Sequence, residues 1–147
     1  MAQGSFAAEV SAFVAKAKHL REAVHKESAQ RIVGIMQTPR GAGGNLRVDT
    51  GFLRASLLAT TSTALPPSVD QPEGQQPFSY DVGQINLTIA GAEISQPLTF
   101  VYTASYARPR EYGANGQAGD RWVALAAQRW VQTVNEVCTE AQSRAGG

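Results

Sequence analysis

The sequence predicts an α+β fold, a small antiparallel β-sheet packed against a long N-terminal helix and a C-terminal helix. Three observations predict it. Phe6, Val10, Phe13, Ala17, Leu20, Val24, Ile32 and Ile35 recur mostly at three- and four-residue steps, the spacing of one helical face. Residues 85–89 and 99–103 each alternate side chains in the period-2 pattern of half-buried strands, with Gly91-Ala92 as a turn between them. From about residue 120 to 141 the spacing becomes helical again. Strand signals grouped between two helices, with hairpin-type connections, point to this class.

The first helix is expected from residue 5 to about 36. Alanine is plentiful there and no proline interrupts, so propensity agrees with pattern. At 1.5 Å per residue it is roughly 45 Å long, more than a small domain needs for its own core. Part of it is therefore expected to project toward a neighbouring copy. Thr38–Asn45, with one proline and three glycines, ends the helix as a loop. Asp49 and Thr50 offer side-chain oxygens to a short helical turn holding Phe52, Leu53 and Leu57. Gly51 permits positive φ or close backbone approach. The Thr-rich stretch Leu57–Thr63 reads as a strand.

Residues 64–79 hold four prolines and read as a long loop. Ile85, Leu87 and Ile89 then alternate with Asn86 and Thr88. Gly91-Ala92 reads as a turn, and Phe100 and Tyr102 alternate with Thr99, Val101 and Thr103. This pattern predicts a β-hairpin with one buried face. Residues 105–119 are irregular. Asp120 can cap a final helix, on which Trp122, Ala126, Trp130, Val134 and Cys138 lie at steps of four, read as one apolar stripe. Trp122 and Trp130 are the expected core residues, and Trp130→Ala is expected to cost about 3–5 kcal/mol. The segments 37–48 and 64–79 are expected to be flexible loops that order on contact with neighbouring subunits.

A chain of 147 residues suits a single domain spanning 1–147. Hydrophobic residues at 43% and charged residues at 17% exclude an intrinsically disordered composition. The net charge of +1 hides an uneven distribution. Residues 1–60 carry eight Lys/Arg against four Asp/Glu, residues 61–100 carry four acids and no base, and residues 101–147 are near balance. The lone Cys138 excludes an intrachain disulfide and is expected to be a buried structural thiol. Met1–Gly4 lacks a positive, then apolar, leader pattern, and no apolar run is long enough to span a bilayer.

Signatures of catalysis and metal binding are missing. His19 and His25 stand six apart on the first helix, about 240° around its axis, so they cannot share a metal. There is no CxxC, HExxH, GxSxG or Walker-type loop. The glycines of Arg40–Asn45 fit no phosphate loop and read as a linker. Glu111 and Asp120 read as solvated or capping groups. No catalytic residue, metal or cofactor is expected, and no membrane or small-molecule partner.

Two stretches resemble a known family. Val48-Asp49-Thr50-Gly51-Phe52-Leu53-Arg54-Ala55-Ser56-Leu57 resembles the VDTGxLRxS(I/L) signature of the tail-completion or head–tail joining (neck) proteins of tailed bacteriophages. Tyr106-Ala107-Arg108-Pro109-Arg110-Glu111-Tyr112-Gly113, followed by Val123 to Trp130, resembles the ending YAxxxEYG…(F/V)VxxxxxxW of that family. The order of elements matches over about residues 5–140. Arg47 stands where the family often has proline, and Pro109 falls inside the second motif. The resemblance implies a non-enzymatic virion protein of the neck or tail end, assembled in the host bacterial cytoplasm. It implies a homo-oligomeric ring, six-fold, whose lumen passes DNA without specific binding. Its partners would be other neck, tail-terminator or head-closure proteins.

On the residues themselves, both motifs are expected to build the fold rather than touch a partner. Leu53 anchors the turn, Arg54 pairs with a carboxylate such as Glu111, and Tyr106 and Tyr112 cap the sheet edge. Asp81 and Glu93, in the acidic stretch holding the hairpin, are candidate lumen-facing groups, because an acidic wall lets a duplex slide. The different-class alternative is a small nucleic-acid-binding module using the basic first 60 residues. That region lacks interleaved aromatics and any named fold signature.

Overall fold

The structure, a computed structural model, describes residues 5–74 and 78–146. Met1–Gly4 and the stretch 75–77 of the expected second loop lie outside them. The fold is α+β, with a two-stranded antiparallel sheet set against a long N-terminal and a C-terminal helix.

Helix α1 spans Phe6–Gln37, close to the expected bounds. Ser5 caps it, its Oγ accepting the Ala8 N–H at 3.1 Å. The two halves of α1 differ. From Ser28 onward it buries Ser28, Ala29, Ile32, Val33, Met36 and Gln37. Every residue from Ser5 to Arg21 is exposed, Phe6 at 81% and Phe13 at 72%. The first half is thus an arm extending beyond the body, as its length implies.

The loop after α1 is better anchored than its composition suggests. A 3-10 turn spans Arg40–Ala42, Pro39 bridges to Leu46, and Leu46 is fully buried. Helix α2 (Phe52–Ala55) buries Phe52 and Leu53. Strand β1 (Leu57–Thr60) is shorter than the expected Leu57–Thr63. Residues 61–64 are bends. Within the Pro-rich segment, Val69 is stitched to β-structure: its N–H donates to Thr103 O at 2.7 Å and its carbonyl accepts the Ser105 N–H at 2.8 Å.

The expected hairpin is absent, and residues Val82–Gly91 form helix α3. Asp81 decides this, its Oδ1 accepting the Gln84 N–H at 3.0 Å as an N-cap. Ile85 and Ile89, one turn apart, are fully buried, whereas Leu87 between them is 76% exposed. The alternation of apolar residues therefore coincided with a helical i, i+4 pair. Gln84 also docks the helix on β1: it accepts the Ala59 N–H at 3.1 Å and donates to the Ala59 carbonyl at 2.9 Å. The strand that was expected as the second arm of the hairpin does form, as β2 (Thr99–Tyr102). Its partner is β1, with Leu57 opposite Tyr102 and Thr60 opposite Thr99.

Helix α4 (Ala107–Tyr112) leads into a tight hairpin, β3 (Gly113–Ala114) with β4 (Gln117–Ala118). The final helical segment is divided into α5 (Trp122–Ala127) and α6 (Trp130–Gly146) by a turn at 128–129. The expected stripe at steps of four is also corrected. Four residues advance about 400°, so each step drifts about 40° around the helix. The buried line is Trp122, Ala126, Thr133 and Val137, while Trp130 is 36% exposed and Cys138 and Val134 are only half-buried.

One core joins the second half of α1, Leu46, α2, β1, Ile85 and Ile89 of α3, and Trp122 and Ala126 of α5. Tyr102 meets the Trp122 ring edge-on, centroids 5.3 Å apart.

Candidate functional site

The two motif stretches come together at one corner of the body, through side chains that each motif supplies. Phe52 packs on Tyr106, ring centroids 6.2 Å apart, and on Phe78 at 5.1 Å. Thr50 and Tyr106 both donate to Oε1 of Gln71, at 3.1 and 3.4 Å. Gln71 belongs to the Pro-rich segment, so that segment is the third side of the corner. Thr50 Oγ1 also accepts the Phe52 N–H at 3.3 Å. This is the expected cap role, shifted because Gly51 occupies the N-cap position itself with φ of 89°. Asp49 is exposed and is not the cap.

Arg54 does not pair with Glu111. Its Nε donates to Gln37 O at 2.8 Å, and its guanidinium lies 5.3 Å from the Tyr80 ring centroid. Gln37 returns a bond from Nε2 to Arg54 O at 2.9 Å and accepts from Tyr102 Oη at 2.6 Å. Burial pushes the Tyr102 phenol well above its usual value, so it remains a donor to Gln37 at any physiological pH. Burial raises Tyr80 and Tyr106 as well.

Glu111 is buried, and it is the cap of α5. Its Oε1 accepts the N–H groups of Val123 and Ala124 at 2.9 and 2.8 Å. A carboxylate there meets free amides and the positive end of the helix. Asp120 is not that cap. Its buried Oδ1 accepts from Arg40 at 2.9 Å and Arg47 at 3.0 Å, clamping the first loop to the residue two before α5. Neither acid is solvated, and each has its own partners. Tyr106 is half-buried as expected, but Tyr112 is 74% exposed, with Arg108 5.8 Å over its ring. Tyr112 therefore caps no sheet edge.

Gly113 holds φ of 94°, and a Cβ there would collide with the carbonyl oxygen of Gln117. Gly113→Ala is accordingly expected to destabilise the chain by at least about 1 kcal/mol. Thermal unfolding checks this, and an unchanged midpoint would count against the geometry of the β3–β4 turn.

Two adjoining clefts mark the corner, of about 380 and 230 Å³, and Arg47, Tyr106 and Arg110 line both. Among the described residues no group of three or more His, Cys, Asp or Glu could hold a metal ion. No helix among them is long and apolar enough to cross a membrane. Asp81 and Glu93 are exposed at the two ends of α3; Asp81 is committed as its cap. The motif residues were legible only through their resemblance to a signature. Gln37, Gln71 and Gln84, which tie the elements together, carry no signal in spacing or charge. No family model, no curated protein and no solved structure matches the chain.

Proposed function

We propose that the chain is a non-enzymatic structural subunit of a tailed-phage neck, one copy of a six-fold ring that completes the tail or joins it to the head. The observation that carries this reading is the α1 arm. A body with a complete core holds out half of its longest helix with Phe6, Val10, Phe13, Val14 and Leu20 exposed. Large apolar residues on a solvated arm are costly to leave uncovered and mark an assembly surface. The two resemblance motifs supply the neck assignment, and here they build a rigid corner of caps and clamps. The partners on this reading are further copies of the chain and neighbouring neck, terminator or head-closure proteins in the virion.

The charges favour this reading over a nucleic-acid-binding module. Of the eight bases in the first 60 residues, five are engaged within the chain. Lys26 donates to Ala90 O at 2.8 Å, Arg31 pairs with Glu27 and Glu140, Arg40 and Arg47 hold Asp120, and Arg54 holds Gln37. Lys16, Lys18 and Arg21 remain on the arm. The acidic stretch with Asp81 and Glu93 faces the lumen in this proposal, presented by α3 and its flanking loops.

Reconstruction of intact particles tests it, with closed rings of this chain around an open channel expected. Two-fold dimers without a ring, or Lys16, Lys18 and Arg21 lining the channel, would overturn it. Free protein is expected to bind duplex DNA weakly or undetectably at physiological salt. Tight binding that weakens steeply with added salt would instead establish phosphate contacts.

A further inference from the structure

We propose that the α1 arm is the docking site for the same arm of a second copy, the two running antiparallel about a two-fold axis. This rests on the reading of the arm as an assembly surface and not on the ring or on the phage. The arm carries Phe6, Val10, Phe13, Ala17, Leu20 and Val24 at steps of four, three, four, three and four. That is a 3.5-residue repeat, the seam that one helix offers to another helix.

Sizes and charges along the seam select the partner. Beside Ala17 lies an unfilled groove of about 320 Å³, lined by Phe13, Val14, Ala17, Lys18, Arg21 and Ile94. An antiparallel second arm that sets Val10 against Phe13 also sets its Phe6 against Ala17. The most exposed large apolar side chain of the arm then enters the groove above the smallest seam residue. The same register places Glu9 of each arm beside Lys16 of the other, two opposite-charge pairs on one flank, and Ala7 beside Val14 on the other. A parallel in-register pair would instead bring Lys16 toward Arg21 and leave Glu9 facing Val14. In the antiparallel register the Glu22 positions lie about 30 Å apart along the axis, and Ile94 of each body flanks the groove that receives the other arm's tip. A two-fold contact closes on itself and cannot propagate a ring, so the arm pair is not itself a ring contact: it joins two copies in the free protein, and ring contacts use other surfaces.

The test uses the full-length chain with Cys138→Ser. Mixing a Glu9→Cys variant with a Lys16→Cys variant under mild oxidation is expected to give a disulfide-linked dimer, and either alone is expected to give none. Sedimentation should show a concentration-dependent dimer. Lys16→Glu should weaken it roughly tenfold by turning two attractive pairs into repulsive ones, and Glu9→Lys with Lys16→Glu should restore it to within about twofold. These positions are exposed, so the unfolding midpoint of the monomer serves as the folding control. No mixed crosslink, self-crosslinking of either variant, or failure of the double exchange to rescue would overturn the proposal. Rings in particles with no arm dimer in solution would sink this inference and leave the ring standing, and an arm dimer without rings would do the reverse.

Discussion

Trp122→Ala is expected to remove about 3–5 kcal/mol of folding stability, the range for a fully buried large aromatic. Trp122 is 2% exposed and touches Tyr102 edge-on in the middle of the core. Its loss opens a cavity where α5, β2 and the second half of α1 converge. Trp130→Ala is expected to cost much less, about 1–2 kcal/mol. Trp130 is 36% exposed and sits at the edge of the body, its ring 6.3 Å from that of His25. Chemical denaturation of the two variants side by side decides the point. Equal losses would show that the two tryptophans share one buried face, as the steps of four suggested, and that the division at 128–129 is wrong.

Glu111→Ala is expected to cost about 2–3 kcal/mol, because it strips a buried charged acceptor from two half-buried amides at the start of α5. The magnitude exceeds that of an exposed cap because the carboxylate itself is buried and serves two amides. Glu111→Gln, which keeps one acceptor and loses the charge, should cost roughly half as much. The denaturation midpoint should fall with an unchanged slope against denaturant. A loss below about 0.5 kcal/mol would mean that the amides of Val123 and Ala124 find other partners, and that the cap does not organise the corner.

The long first helix was legible because its apolar face repeats over many turns and Ser5 stands at its start. The strand around Phe100 and Tyr102 was legible because Thr99–Thr103 is a run of β-branched and aromatic residues. The helix at Val82–Gly91 was not legible. Ile85, Leu87, Thr88 and Ile89 are mostly β-branched, and β-branching favours strands only weakly when a cap and a core can impose a helix. Asp81, the cap, stands out in the sequence only by its charge. With the hairpin gone, the pairing of β2 with β1 had no local signature, since each strand finds its partner across a long stretch of chain. At the candidate site, Thr50, Gly51, Leu53, Tyr106 and Glu111 were picked out as motif members, but their contacts were not. Arg54 was matched to an acid by charge alone, whereas the structure gives it a carbonyl and an aromatic ring. Asp120 was given the cap that Glu111 supplies, because both acids precede α5 and only tertiary placement separates them.

The uneven burial of α1 has a kinetic meaning. An isolated helix of the arm's length is marginal in water, because forming its first turn costs more than one hydrogen bond returns. Here that nucleus is already built in the packed half, so the arm grows outward from Ser28 one residue at a time and melts back the same way. On propagation its helicity should be firmest at the body and fall off toward Phe6, with the Ser5 cap holding the last turn. A partner that seizes the tip therefore acts at the end of a zipper, and the order it imposes runs inward toward the core.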